Sequence, residues 1–233
     1  MTRPQNKGNK IIKKNLSAFL IFFFFVCIPL ANSDETQESP KVTRQTKLAA
    51  LEKRILDYKI NDGFKDDAYG LVVIKAGLDS LKEGSGGIGA CLVDTTTGEV
   101  IEYGRNRQTA TYFRSDLHGE MDLLNRYEDR MKKATKAKAD NPRECKNLVL
   151  LSSMEPCPMC LTRIINSGIK TVLYVTEDKE GGMVTRIDSL PPFWREFAAD
   201  REFRKADCSP ELQQISHDMF HLSHRNFAKN RKK

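Results

Sequence analysis

Apolar residues recur along this chain in two rhythms, and the change from one to the other marks its elements. In "KLAALEKRILDYKI", Leu48, Leu51, Ile55 and Tyr58 fall at helical spacing. "DDAYGLVVIKAGLDSLKEG" sets Ala68, Leu71, Val72, Lys75, Ala76 and Leu78 on one side of a second helix, with the break near "NDGF". The glycine-rich "SGGIG" then leads into "ACLVD", the turn "TTTG" and "EVIEYG", two short apolar runs that predict a hairpin. After the polar loop "RNRQTATYFRSD" comes the helical pattern "LHGEMDLLNRYEDRMKK", where Leu117, Met121 and Leu124 share a face and Asp116 can cap the start.

Beyond a charged stretch, "LVLLSS" and "KTVLYVTED" are continuous apolar runs of the kind buried strands show. Between them, "EPCPMCLTRIINSGI" reads as a helix, with proline near its start and Gly168 at its end. Two more helices are predicted in "PPFWREFAADREF" and "SPELQQISHDMFHLSHRNF". Strands that alternate with helices bury both sheet faces, so the expected fold is a three-layer α/β/α domain with a mixed central sheet.

The first thirty-odd residues differ in kind. Arg3, Lys7, Lys10, Lys13 and Lys14 precede the apolar run Leu16–Ala31, and Ala31-Asn32-Ser33 has the small-x-small pattern of a cleavage site. The run falls short of the roughly 20 residues that a spanning helix needs, so residues 1–33 are expected to be a signal peptide. Export to a periplasm or the exterior follows, with an N-terminal membrane anchor as the alternative and no stable membrane insertion after cleavage. The polar, Pro40-containing segment 34–46 is expected to be a flexible linker, 47–224 the folded domain, and 225–233 a basic tail.

Export changes the charge argument. The whole chain carries 38 Lys/Arg against 31 Asp/Glu, but five of those cations and no acid lie in 1–33, which leaves 33 against 31. A body this close to neutral is not built as a general polyanion binder. Five cysteines remain, Cys91, Cys145, Cys157, Cys160 and Cys208, an odd number in a chain long enough for an apolar core, which argues against a disulfide framework. Sequence cannot say whether Cys145 and Cys208 meet.

On its own, Cys157-Pro158-Met159-Cys160 reads as a redox disulfide, half of a structural zinc site, or part of a catalytic one. His118 and Glu120 open one predicted helix and the two cysteines open another, each after a segment ending on the same side of the presumed sheet. One imidazole and two thiolates make a three-ligand zinc set with an open fourth position, which is what separates catalytic from closed structural sites. Glu120, two residues past His118, is near enough to move a proton without ligating.

The set "HGE … PCPMC" is the H-x-E … P-C-x-x-C signature of zinc nucleobase deaminases. From about residue 68 to residue 178 the chain resembles the cytidine deaminase-like superfamily, which implies a mixed sheet of about five strands and a homodimer or larger. The resemblance also implies one Zn2+ per subunit on His118, Cys157 and Cys160, with Glu120 as the catalytic proton shuttle. "GRNR", whose Asn106 stands twelve residues before His118, is similar to the G-x-N-x loop of tRNA adenosine, guanine and cytosine deaminases and implies an Asn106 contact to substrate. Gly119, where most members have alanine, resembles fungal cytosine deaminase, and its backbone N–H is expected to help orient the base. "EPCPMC" resembles the guanine and tRNA adenosine deaminase branches instead, so the two motifs point to different substrates.

Compartment and charge favour a small-molecule nucleobase or nucleoside of cytosine, cytidine or guanine type. Adenosine or cytidine in tRNA or other nucleic acid is the alternative, with the basic C-terminus on phosphate. A non-catalytic zinc module is a second alternative, against which Glu120 argues. Glu155 is expected to serve the helix dipole, and Trp194 to pack in the core or at a dimer contact. His217, His221 and His224 share a solvent-facing side of the last helix, opposite Leu212, Ile215, Met219 and Leu222.

Overall fold

The computed structural model describes residues 40–134 and 145–230. The expected signal segment 1–33, residues 34–39 of the linker and residues 231–233 of the tail lie outside them. Helices α1 (Pro40–Asp57) and α2 (Asp67–Lys82) come first, followed by strands β1 (Gly89–Asp94) and β2 (Glu99–Arg105). Then come α3 (Gly119–Ala134), β3 (Leu148–Met154), α4 (Pro158–Ser167) and β4 (Thr171–Thr176). A 3-10 turn, Ile187–Ser189, leads to α5 (Pro192–Ala198), β5 (Glu202–Lys205) and α6 (Pro210–Asn230).

The five strands form one mixed sheet in the order β2-β1-β3-β4-β5. β1 is antiparallel to β2 and β3, whereas β3, β4 and β5 run parallel. Pleating divides each strand between two cores. Cys91, Val93, Leu151, Leu173 and Val175 face α1, α2 and α6; Ala90, Leu92, Leu150 and Val172 face α3 and α4. Tyr174 continues the second face onto α5, where Trp194 packs against the cluster that includes Leu161, Ile165 and Leu190. Among the described residues no helix is long and apolar enough to cross a membrane.

Turn chemistry matches the sequence at the hairpin and at α4. Gly98 closes the hairpin loop at φ 74°, a left-handed conformation that glycine adopts without strain. Pro158 occupies the first turn of α4, and Gly168 ends it at φ 84°.

Several expectations need correction. The linker does not reach 46, because 40–46 form the first turns of α1. The tail begins inside a helix, since α6 runs to Asn230. Only 192–198 of "PPFWREFAADREF" is helical; 202–205 form β5, whose backbone pairs with β4 although its side chains are largely outside the core. In α2, Ala68 and Lys75 are exposed and Val73 and Ile74 wholly buried, because the helix is packed against α1, α6 and the sheet at once. Asp116 does not cap α3. It pairs with Arg114, and the first α3 bond runs from Asp122 N–H to the His118 carbonyl at 2.9 Å, which puts His118 itself at the cap. Cys145 and Cys208 are not joined to each other: they lie in cores on opposite faces of the sheet.

Candidate active site

Two helix N-termini in the α3/α4 layer bring the chemistry together. His118 caps α3, and Cys157 caps α4 at φ −71°, ψ 170°. Cys160 follows one turn on, because Pro158 can take the first helical position without wasting an N–H. Across the gap, His118 Nδ1 lies 3.6 Å from Cys157 Sγ and 3.5 Å from Cys160 Sγ. All three donor atoms lie within 4.8 Å of one another.

These spacings can be tested against zinc. A nitrogen at about 2.0–2.1 Å and a sulfur at about 2.3 Å on two corners of a tetrahedron stand about 3.6 Å apart. The side chains therefore already hold the N···S separations that a shared zinc ion would impose, with Nδ1 as the ligating nitrogen. The two thiols differ in their electrostatics. A hydrogen bond from Cys160 and then one from His118 push the Cys157 thiol down to about 4 against the effect of burial. The Cys160 thiol moves up through its bond to Cys157, burial and the nearby Glu120 charge. His118 is raised, first by its contact with Cys157. The surroundings thus favour the anionic form at Cys157 and disfavour it at Cys160.

Glu120 is only 3% exposed. Its Oε1 accepts a hydrogen bond from Ser152 Oγ at 3.0 Å. Burial, then the Cys157 charge, raises its pKa. It stands outside the three-donor group, so the carboxylate is placed beside the metal position and not in it.

Gly119 has a steric reason to lack a side chain: an added Cβ would lie 3.0 Å from the Ile88 carbonyl oxygen. The same carbonyl accepts from Asn106 N–H at 2.8 Å, so Asn106 and Gly119 flank one peptide. The Asn106 side chain is buried and works within its loop. Its Oδ1 accepts from Gln108 N–H at 3.0 Å and Gly86 N–H at 3.4 Å, and its Nδ2 donates to Gln108 Oε1 at 3.0 Å.

Three supporting roles leave little trace in the sequence. Glu155 does not serve the α4 dipole. Its carboxylate accepts from Asp178 N–H at 3.1 Å, Thr185 N–H at 2.8 Å and Thr185 Oγ1 at 2.9 Å, which ties the loop after β4 to the cysteine turn. Gly104 lets α3 lie on β2, since a Cβ there would come within 2.3 Å of Leu123 N. Ser152 sits in the apolar run of β3, and its polarity was the one available signal of a partner.

Residues 65–176 match the family described as "Cytidine and deoxycytidylate deaminase zinc-binding region". No curated protein matches the chain. Among solved structures, a tRNA:A34 deaminase of A-to-I editing at the wobble position of transfer RNA is 19% identical, covering 63% of this chain and 94% of its own, with a TM-score of 0.48. Guanine deaminase from Nitrosomonas europaea is 15% identical over 75% of this chain and 92% of its own, at 0.46. Guanine deaminase from Bacillus subtilis is 21% identical over 53% of this chain and 76% of its own, at 0.41.

Proposed function

The chain belongs to the cytidine deaminase-like superfamily through its zinc-binding region, and on that premise we propose that it removes the exocyclic amine of a free nucleobase or nucleoside by hydrolysis. The observation that carries the reading is the buried, non-ligating Glu120 beside the His118, Cys157 and Cys160 donor set. A closed structural zinc site would have no use for it.

His118, Cys157 and Cys160 would hold a zinc ion, which would supply Lewis acidity toward a water molecule. The protein's part is positioning and proton transfer. Glu120 takes one proton from the attacking water and gives it to the ring nitrogen, then carries the second, from the hydroxyl of the tetrahedral adduct, to the departing amine, so that water enters and ammonia leaves. The Ser152 hydroxyl fixes which carboxylate oxygen faces the reaction. Gln108 uses one of the two Asn106 Nδ2 hydrogens, and the other serves the base together with the Gly119 N–H.

Cytosine, cytidine or guanine fits best with a body that is nearly neutral once 1–33 is removed. The same reading includes export and a homodimer with one zinc per subunit. Adenosine or cytidine in nucleic acid is the second reading, favoured by the basic residues near the C-terminus. Ammonia release by zinc-loaded residues 34–233 from cytosine, cytidine, guanine, adenine, adenosine and a stem-loop RNA tests both. Turnover of the free compounds supports the first reading. Turnover of RNA alone, weakening steeply with salt, supports the second. Full activity in Glu120→Ala overturns the mechanism. N-terminal sequencing of the exported form should begin near Asp34.

A further inference from the structure

α6 carries a second cluster of metal-binding side chains, on the sheet face opposite the α3/α4 layer. His217 and His221 are one helical turn apart and exposed. Their rings meet at a centroid distance of 4.2 Å and an angle of 61°, with Nε2 facing Nε2 at 2.9 Å. They border an open groove of about 490 Å³ between α1 and α6, which also includes Lys47, Arg54, Asp218 and Leu222.

An i, i+4 histidine pair on a helix is a chelate when both Nε2 atoms converge. Two nitrogens 2.9 Å apart, each about 2.05 Å from an ion, subtend about 90° at it. That is the angle of square-planar and octahedral sites, which Cu2+ and Ni2+ favour with nitrogen ligands. A zinc tetrahedron would require the pair to open to about 3.3 Å. The surroundings also suit a cation. Asp218 Oδ1 lies 3.8 Å from His217 Nδ1, beyond hydrogen-bond distance, and sets a negative charge beside the edge of the ring turned away from His221. Asp218 also pairs with Arg54 at 2.6 Å and accepts from Gln214 at 2.9 Å, so the Arg54 charge is balanced within the groove. Lys47 is exposed and screened.

We infer that His217 and His221 form a surface site for a divalent transition metal, Cu2+ or Ni2+ ahead of Zn2+. Without the ion, one Nε2–H donates to the other ring. On binding, that ring moves its proton to Nδ1 and both Nε2 lone pairs turn to the metal.

The test uses the full chain, without an affinity tag and with zinc loaded at His118, Cys157 and Cys160, on immobilised Ni2+. The chain has four histidines, so few surface sites compete. Retention with elution by imidazole is expected, and His217→Ala/His221→Ala should pass through with its helical circular dichroism and zinc content unchanged. His217→Gln/His221→Gln gives the same reading with less loss of side-chain volume. His224→Ala should be retained like the parent. Passage of the parent, or retention of both double variants at the parental imidazole concentration, overturns the site. Ammonia release by the same proteins reports separately on the deaminase reading, which can fail without affecting this one.

Discussion

Ser152 Oγ, fully buried on β3, lies 3.0 Å from Glu120 Oε1 on α3, so the central strand of the sheet holds the carboxylate on which the proposed chemistry turns. A bond of this kind to a charged acceptor is worth about 1.5–3 kcal/mol. Ser152→Ala should therefore lower kcat by roughly 10- to 100-fold while KM and zinc content stay near the parental values. Glu120→Gln should lose at least about 10²-fold in kcat, also with zinc retained. Elemental analysis beside steady-state kinetics separates the two effects. Zinc loss in Ser152→Ala would show that the serine supports the metal site instead.

The N···S distances of 3.5 and 3.6 Å make the donor set ready for zinc without rearrangement. Two helices in different parts of the chain share that ion, so its removal should loosen α3 from α4. With free zinc at about 1,000 times Kd, binding contributes about 4 kcal/mol to stability. For a domain of this size that is a loss of roughly 10 °C in Tm on chelation. Cys157→Ser and Cys160→Ser should melt near the chelated parent and show little response to chelator. A parent whose Tm is unmoved by chelation would mean that the site is not loaded in the folded protein.

Glu155 joins the cysteine turn to the loop after β4 through three hydrogen bonds. The loop lies close, since a Cβ on Gly182 would come within 2.3 Å of Glu155 Cδ. Glu155→Ala removes the acceptor of three part-buried hydrogen bonds and should cost about 1–2 kcal/mol. Limited proteolysis should then cut within 178–186 while zinc remains bound. Glu155→Gln keeps one acceptor oxygen and should recover part of the protection. Cleavage unchanged in both variants would remove the clamp role.

The parts legible in the sequence are those with a local cause. The hairpin turn needs Gly98, α4 starts on a proline and ends on a glycine, and β3 and β4 are apolar because both faces of the sheet are covered. The H-x-E and P-C-x-x-C spacings are legible because helix geometry fixes where their side chains point. What was hidden depends on contacts distant in sequence. β5 is four residues, exposed at both ends and half-buried between, so its pairing with β4 leaves no alternation to read. The buried side of α2 depends on α1, α6 and the sheet together. Asn106 reads as a substrate contact by its motif, yet its side-chain oxygen is spent on the loop, which only the Gln108 and Gly86 distances reveal.

Tyr58 gives a pH-dependent stability test away from the metal. Its hydroxyl donates to Asp67 Oδ2 at 2.5 Å and lies 2.6 Å from Ser209 Oγ, in a buried network that ties the end of α1 to the starts of α2 and α6. Burial works to raise the Asp67 pKa. The hydrogen bonds from Tyr58, Asn61 N–H and Ser209 N–H outweigh it and hold the carboxyl below its usual range. Burial, then Asp67, pushes Tyr58 up to about 12, so it stays a donor at any ordinary pH. A carboxylate with a depressed folded pKa stabilises the protein fully above its unfolded value of about 3.9, and that contribution is lost as pH falls through the folded value. Tyr58→Phe removes one of the depressing bonds, so at pH 7 it should destabilise the protein by about 1–3 kcal/mol. The gap between parent and variant should narrow as pH drops below about 4, when the protonated Asp67 no longer needs the donor. Urea unfolding of both proteins between pH 3 and 7 measures that gap, and a constant difference across the range would dissociate Tyr58 from the ionisation of Asp67.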